Sequence, residues 1–394
     1  MKKIVLTLLI LILLLSATAA IIFYATGWRL SFNKGRPDLS GTGLLVTTSN
    51  PDGASVFIDD HLTTATDNTI NLSPGTYNVK IFKDGYFPWQ KKLVIEKGVV
   101  AKAEALLFPT APKLESIANL GANGPVLDPS RTRVAYTVSS QSVRKNGVYI
   151  LDMTTRPILT LQSSSTQIAD DTLDLFSVAK LTWAPDGSSL IASISAQALS
   201  NYLLVSNSFN QTPSDVTATL LSVTSSWDKI KADREKSAMN SMPSKVRILI
   251  KENFKIIEWS PDETKLLYEA SSSATLPIII KPRIIGPNPT PETRDIKRGQ
   301  VYIYDVREDR NYKIKDSIDE REKITWFPDS RHLIYVHEKK IDIMEYDGQN
   351  KTTVYAGPFL DNYVFPWGDI SRIVILTNLG NLDTVANLYT ISLK

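Results

Sequence analysis

Three histidines, two acidic clusters and a scatter of other carboxylates are the only residues of this 394-residue chain suited to metal binding or acid–base work. His61 stands far from the other two in sequence. His332 and His337 are five apart, so on a strand they point to opposite faces and cannot converge on one ion. Asp170-Asp171-Asp174 and Asp316-Asp319-Glu320 offer the oxygen ligands that Ca²⁺ takes. Neither completes a loop-ligand pattern, and a solvated surface is the better reading of both. There is no His-Glu-x-x-His run, no Gly-x-Ser-x-Gly elbow and no phosphate-binding Gly-Lys-Ser/Thr loop. Cysteine is absent, which excludes disulfides, thiolate metal sites, thiol nucleophiles and a lipidated Cys. The chemistry left open is glycan or peptide hydrolysis by carboxylates brought together from distant parts of the chain. No catalytic, metal or cofactor-binding residue is assigned. With 44 Lys and Arg against 41 Asp and Glu, the net charge is +3, and no global basic field draws nucleic acid.

The elements that would have to position such groups begin with an apolar one. After Lys2 and Lys3 no charge occurs until Arg29, so residues 4–28 form an uncharged run. As a helix it is about 37 Å long at ~1.5 Å per residue, enough for a ~30 Å hydrocarbon core. A cleaved secretory signal would use residues 4–15 as its apolar region and Ala17-Thr18-Ala19 as its cleavage site. Cleavage there would leave Ile21, Ile22, Phe23, Tyr24 and Trp28 with nothing to bury them. A retained signal-anchor uses the whole run and sets Tyr24 and Trp28 at the far interface. Residues 1–28 are thus expected to be a transmembrane signal-anchor, with the lipid bilayer as partner of residues 4–28. Lys2 and Lys3 against Arg29, Lys34 and Arg36 nearly tie under the positive-inside rule. Export grammar and the lack of a second span put the body outside the cytoplasm.

Residues 29–42 read as a polar juxtamembrane linker. From residue 43 the pattern alternates with period two, in short runs broken by Asn50-Pro51-Asp52-Gly53, Ser73-Pro74-Gly75, Asp84-Gly85 and Glu96-Lys97-Gly98. Six or so strands in residues 43–109 predict a small β-sandwich. Phe82, Tyr86, Phe87 and Trp89 are read as plugging its core rather than stacking on sugar. Pro51-Asp52-Gly53-Ala54, with Val56, Ile58 and Asp59, then Leu72, Pro74-Gly75 and Tyr77, then Gly85-Tyr86, resembles the PEGA domain, with Asp52 where the family name has Glu. The resemblance implies a surface-associated β-sandwich of bacterial and archaeal envelope proteins and carries over no catalytic residue.

Beyond a Pro109–Pro112 hinge a repeat fills residues 111–394. Trp183-Ala184-Pro185-Asp186, Trp259-Ser260-Pro261-Asp262 and Trp326-Phe327-Pro328-Asp329 each join two apolar runs. Degenerate copies stand at Asp128-Pro129-Ser130 and Pro366-Trp367-Gly368-Asp369. Each reads strand, tight turn, strand, with Pro presetting the turn and Asp accepting from a nearby backbone N–H. Third strands are expected at residues 147–152, 300–305 and 341–346, and fourth strands at 158–161 and 312–314. Four antiparallel strands per repeat make a propeller blade, so the fold is expected to be mainly β: a transmembrane helix, a small sandwich and a β-propeller of about five or six blades. The Trp-x-Pro-Asp signature resembles the WD-repeat-like blades of TolB-type propellers. Residues 112–117 have no blade of their own and are expected to close the ring against the last strand, 388–393. Two insertions interrupt the period: a polar helix over 226–242, and a proline-rich loop over 270–298, long enough to suggest function or disorder.

Together these features predict a membrane-anchored, extracytoplasmic, non-enzymatic binding or scaffold module for an envelope protein or a cell-wall polymer. A propeller hydrolase using channel carboxylates is the alternative, and a passive spacer the third.

Overall fold

A computed structural model describes residues 2–25, 28–33, 36–154, 165–196, 198–284, 286 and 288–394. The chain divides into two compact units, residues 1–110 with 280–291, and residues 111–279 with 292–394. It is mainly strand.

The first unit opens with helix α1, Lys2–Ala25. Its described side chains, residues 6–22, are all exposed. Among the described residues no helix is long and apolar enough to cross a membrane. The transmembrane segment expected over 4–28 is therefore not found. Its far end is also corrected, because the helix stops at Ala25 and Trp28 begins a strand. The expected linker is likewise replaced: Trp28–Asn33 and Arg36–Gly41 pair as an antiparallel hairpin.

Two sheets follow. Gly43–Asn50 lies between Asn68–Leu72 (antiparallel) and Val100–Leu106 (parallel) in one. His61–Ala65, Ser55–Ile58, Gly75–Phe82 and Trp89–Ile95 form the other, in that order. Alternation puts every second side chain inward, and Leu45, Ala103 and Ala105 of one sheet meet Val56, Val79, Ile81, Leu93 and Trp89 of the other. The module is a seven-stranded sandwich with an apolar core.

The second unit holds five four-stranded antiparallel sheets among its described residues. Sheet I is Asn123–Leu127, Arg133–Val138, Gly147–Asp152 and Ser165–Asp170. Sheet II is Lys180–Trp183, Ser189–Ser195, Leu199–Val205 and Ser214–Asp215. Sheet III is Phe254–Trp259, Lys265–Ala270, Val301–Asp305 and Arg310–Lys315. Sheet IV is Lys323–Trp326, His332–His337, Lys340–Glu345 and Thr352–Ala356. Sheet V is Val364–Pro366, Arg372–Thr377 and Asn387–Ser392, completed by Leu114–Ser116 from the start of the unit. Leu114, Glu115 and Ser116 pair with Ile391, Thr390 and Tyr389, so the expected outer strand does join the last sheet. The fourth strand of sheet I lies at Ser165–Asp170; the expected position, 158–161, falls outside the described residues.

The repeat works through its turn. In all five sheets the N–H of the turn's fourth residue donates to the C=O of its first: Arg131 to Asp128, Gly187 to Ala184, Glu263 to Ser260, Ser330 to Phe327 and Ile370 to Trp367. That fourth residue has positive φ each time, 60°, 71°, 56°, 59° and 59° in the same order. Only sheet II supplies glycine there; the others hold a side chain in the left-handed region, least comfortably the β-branched Ile370.

Neighbouring sheets share apolar cores. Tyr136, Val138 and Leu151 of sheet I pack with Phe365, Val374 and Leu388 of sheet V. Its other face, Ala135, Val148 and Ile150, packs with Leu181, Trp183 and Leu190 of sheet II. Leu267, Val301 and Ile303 of sheet III meet Trp326, Leu333 and Met344 of sheet IV. Between sheets II and III stand helix α2, Leu220–Asn240, and helix α3, Ser244–Asn253. The sequence indicates the first and misses the second. Trp227 of α2 packs on Ala184 and Ile191, and Val246, Leu249 and Ile250 of α3 pack beside Phe254 and Tyr268. The proline-rich insertion starts from a two-stranded ladder, Ala274–Thr275 with Asp295–Ile296. Arg294 pins its base to the Pro277 carbonyl at 2.7 Å, to Glu292 at 3.0 Å and to Asp309 at 3.1 Å.

Candidate functional site

Bonds between sheets bring the first strand of every sheet to one place. The Trp183 indole N–H in sheet II donates to the Val126 carbonyl of sheet I at 3.1 Å. The Trp326 indole of sheet IV does the same to the Glu258 carbonyl of sheet III at 3.3 Å. Lys323 of sheet IV lies 5.7 Å from the Phe365 ring of sheet V. Trp259 of sheet III breaks the pattern, because its buried Nε1 has no partner.

Arg131 stands at the centre of this convergence. It occupies the left-handed turn position of sheet I, from which its guanidinium reaches sheets III and IV. Nη1 donates to the Trp326 carbonyl at 3.0 Å, and Nη2 forms an ion pair with Glu258 Oε1. The other Glu258 oxygen accepts from Thr325 Oγ1 at 2.8 Å and from the Trp326 N–H at 3.0 Å. Burial lowers the Arg131 pKa from its ordinary value. One carboxylate thus meets one guanidinium, and both Glu258 oxygens are occupied.

Lys323, the first residue of its strand, is the second cation here. Burial, then the charge of Arg131, lowers its pKa from the ordinary lysine value. Its ammonium borders a cleft of about 500 Å³ lined by Pro125, Val126 and Leu127 of sheet I and by Asp361, Asn362, Tyr363 and Phe365 at the start of sheet V. Nothing in the sequence marks Arg131, Glu258 or Lys323 as functional; Arg131 and Glu258 lie 127 positions apart, and their residue types do not recur at the matching positions of the other repeats.

The repeat residues do structural work. Asp186 accepts from the Ser188 N–H at 2.9 Å, Asp262 from Thr264 at 3.1 Å, and Asp329 from Arg331 at 2.9 Å and His332 at 3.0 Å. Pro185, Pro261 and Pro328 precede them in the turns. In sheet I, Asp128 takes the role, accepting from Thr132 and Arg133, both at 2.8 Å. Burial alone would raise the Asp329 carboxyl, but the His332 ring at 2.6 Å and these N–H groups hold it below the ordinary range.

The histidines stay apart: His61 bonds the Asp59 carbonyl, His332 joins Asp329, and His337 joins Asp342 at 2.7 Å. Among the described residues no group of three potential ligands could hold a metal. Asp170, Asp171 and Asp174 accept from Thr172, Ser177 and Leu175, while Asp316 pairs with Lys313 and Asp319 accepts from Arg321. One dense network joins the last strand of sheet III to sheet IV. Lys315 donates to Tyr335 Oη at 2.6 Å, and Tyr335 donates to Glu322. Burial alone would raise the Glu322 carboxyl, yet the Asp319 N–H, Lys315 and Tyr335 hold it down to about 2. In the sandwich, Pro51 and Asp52 sit in an open turn, Gly53 has φ 67°, and Ala54 is wholly buried with its N–H on Thr66 Oγ1. Trp89 is in the core with Tyr86 against it, while Phe82 lies beneath the Lys80 ammonium.

Residues 42–110 match the PEGA domain model. No curated protein matches the chain. Among solved structures it is similar to a putative TolB from Agrobacterium tumefaciens (14% identity, 70% of this chain and 74% of that one, TM-score 0.22). It is also similar to TolB from Acinetobacter baumannii (16% identity, 80% and 60%, TM-score 0.21), and to hydrazine synthase of Kuenenia stuttgartiensis (11%, 92% and 99%, TM-score 0.22). Likenesses at such TM-scores carry no argument about activity.

Proposed function

We propose that this chain is an envelope protein in which a PEGA domain and a five-bladed β-propeller form a non-enzymatic scaffold that binds a protein or a cell-wall polymer outside the cytoplasm. The observation that carries this reading is the state of the carboxylate where the first strands meet. Glycoside hydrolysis needs two carboxyls flanking the bond, each able to exchange a proton or attack. Glu258 is instead held by Arg131, Thr325 and the Trp326 N–H, and the turn aspartates are engaged by backbone.

The propeller reading is supported by four-stranded meanders in series, with the last completed by Leu114–Ser116, since radial repetition leaves few open edges. A bilayer-bound N-terminal helix is supported by the surface of α1, where Leu8, Leu9, Leu11, Leu13 and Ile21 are all more than half exposed. Lipid would cover an apolar face that water disfavours.

The test uses the full chain in non-ionic detergent, presented with purified wall polymer and, separately, cross-linked in intact envelopes. Saturable retention on polymer, or one reproducible cross-linked envelope protein, is expected, with no soluble fragment released by wild type. Turnover abolished by Glu258→Gln would establish the hydrolase instead. Absence of both retention and cross-link would overturn the scaffold. Protease shielding reads the location: the body is expected to be digested from outside intact cells.

A further inference from the structure

We propose that the cleft where sheets I, IV and V meet binds the oxyanion of a small ligand, best a singly charged carboxylate on a flat apolar body, with Lys323 as its anchor. This rests on the binding reading above. The charge balance supplies the argument. Arg131 is neutralised by Glu258, which leaves the Lys323 ammonium as surplus. Among the described residues no carboxylate lies within ion-pair distance of it; its neighbours are the Phe365 ring at 5.7 Å and the like charge of Arg131.

A half-buried ammonium without an acid partner is unfavourable, and an oxyanion entering the cleft would supply a charge-assisted hydrogen bond. At about 500 Å³ the cleft falls within the usual size of small-ligand sites. Its walls decide the rest of the ligand. Pro125, Val126, Tyr363 and Phe365 offer an apolar surface and two rings, suited to a flat apolar body. Asp361, exposed at the rim, disfavours a second negative charge and so ranks a monoanion above a dianion.

Calorimetric titration of the full chain in non-ionic detergent, with benzoate and separately with inorganic phosphate at low ionic strength, tests this. Saturable benzoate binding is expected, tighter than phosphate, falling with added salt. Lys323→Met is expected to weaken it about tenfold or more, the range of a lost charged hydrogen bond, and Lys323→Arg to retain it. Equal binding by Lys323→Met, or no saturation, would overturn the site. Tighter binding of phosphate would overturn the role given to Tyr363, Phe365 and Asp361. A measurement on wild type guards against a variant that fails to fold: benzoate is expected to slow reductive methylation of Lys323, read by mass spectrometry. Unchanged labelling refutes the proposal. Retention on wall polymer without benzoate binding would remove this site and leave the scaffold standing.

Discussion

Replacing Glu115 by proline attacks the one strand of sheet V that comes from the opposite end of its unit. The Ser392 N–H donates to the Lys113 carbonyl at 2.9 Å, and the Ile117 N–H to the Leu388 carbonyl at 3.0 Å. Antiparallel ladders alternate, so the intervening pair, Glu115 with Thr390, is also a hydrogen-bonded one. Proline removes the Glu115 donor and leaves the Thr390 carbonyl without it. Thr390 is only 2% exposed, so water is a poor substitute. A lost ladder bond of about 1 kcal/mol and an orphaned buried carbonyl of about 1–3 kcal/mol sum to roughly 3 kcal/mol. At about 2.1 cal/mol/K of unfolding entropy per residue, a unit of this size loses close to 5 °C in melting temperature. Differential scanning calorimetry of the full chain reads the shift. Glu115→Ala is the control, because that side chain is exposed and the backbone donor survives. If the proline and alanine variants melt together, the pairing of Leu114–Ser116 with Asn387–Ser392 does not stabilise the unit and the reasoning is wrong.

Other substitutions probe the turns, the convergence and sheet IV. Ile370→Gly should raise stability by about 1 kcal/mol in chemical denaturation, since glycine relieves a left-handed β-branched residue at some entropic cost; a loss would show that side-chain contacts dominate. Glu258→Gln leaves the Arg131 guanidinium half-buried without its counter-charge and should cost about 2 kcal/mol, less than for a fully buried pair; an unchanged denaturation midpoint would contradict the ion pair. Glu322 titrates at about 2 in the fold against an ordinary 4.5. Its contribution is therefore full above about 4.5 and lost as pH falls toward 2. Glu322→Gln should erase that part of the acid dependence, about 1 kcal/mol after solvent screening, measured as the difference in urea midpoints at pH 6 and pH 3.

The strands and turns of the larger unit were legible because their cause is local: a two-residue apolar period, a proline that presets φ and an aspartate within reach of its own backbone. Trp183, Trp259 and Trp326 could be assigned to the repeat on that ground, and residues 112–117 to the last sheet by counting strands. The Trp28–Asn33 and Arg36–Gly41 hairpin was not legible, because Gly35 and Pro37 with few apolar residues read as linker. Helix α3 hid in a short amphipathic stretch, Ser244–Asn253, that continues directly into a strand. The convergence of Arg131, Glu258 and Lys323 was invisible for a different reason. Its members lie on different sheets, none repeats, and only the packing of first strands brings them together.

The seam between Leu114–Ser116 and Asn387–Ser392 also sets an order of events. While the polypeptide is being made, sheet V has its outer strand waiting long before its second and third strands exist. Until residue 392 has emerged, that early segment has no strand to pair with and the face of sheet I that packs on sheet V is incompletely covered. A nascent chain is thus exposed to mispairing with other chains throughout the synthesis of the residues between these two strands. Any helper that handles it would be expected to guard residues 111–127 first and release them last.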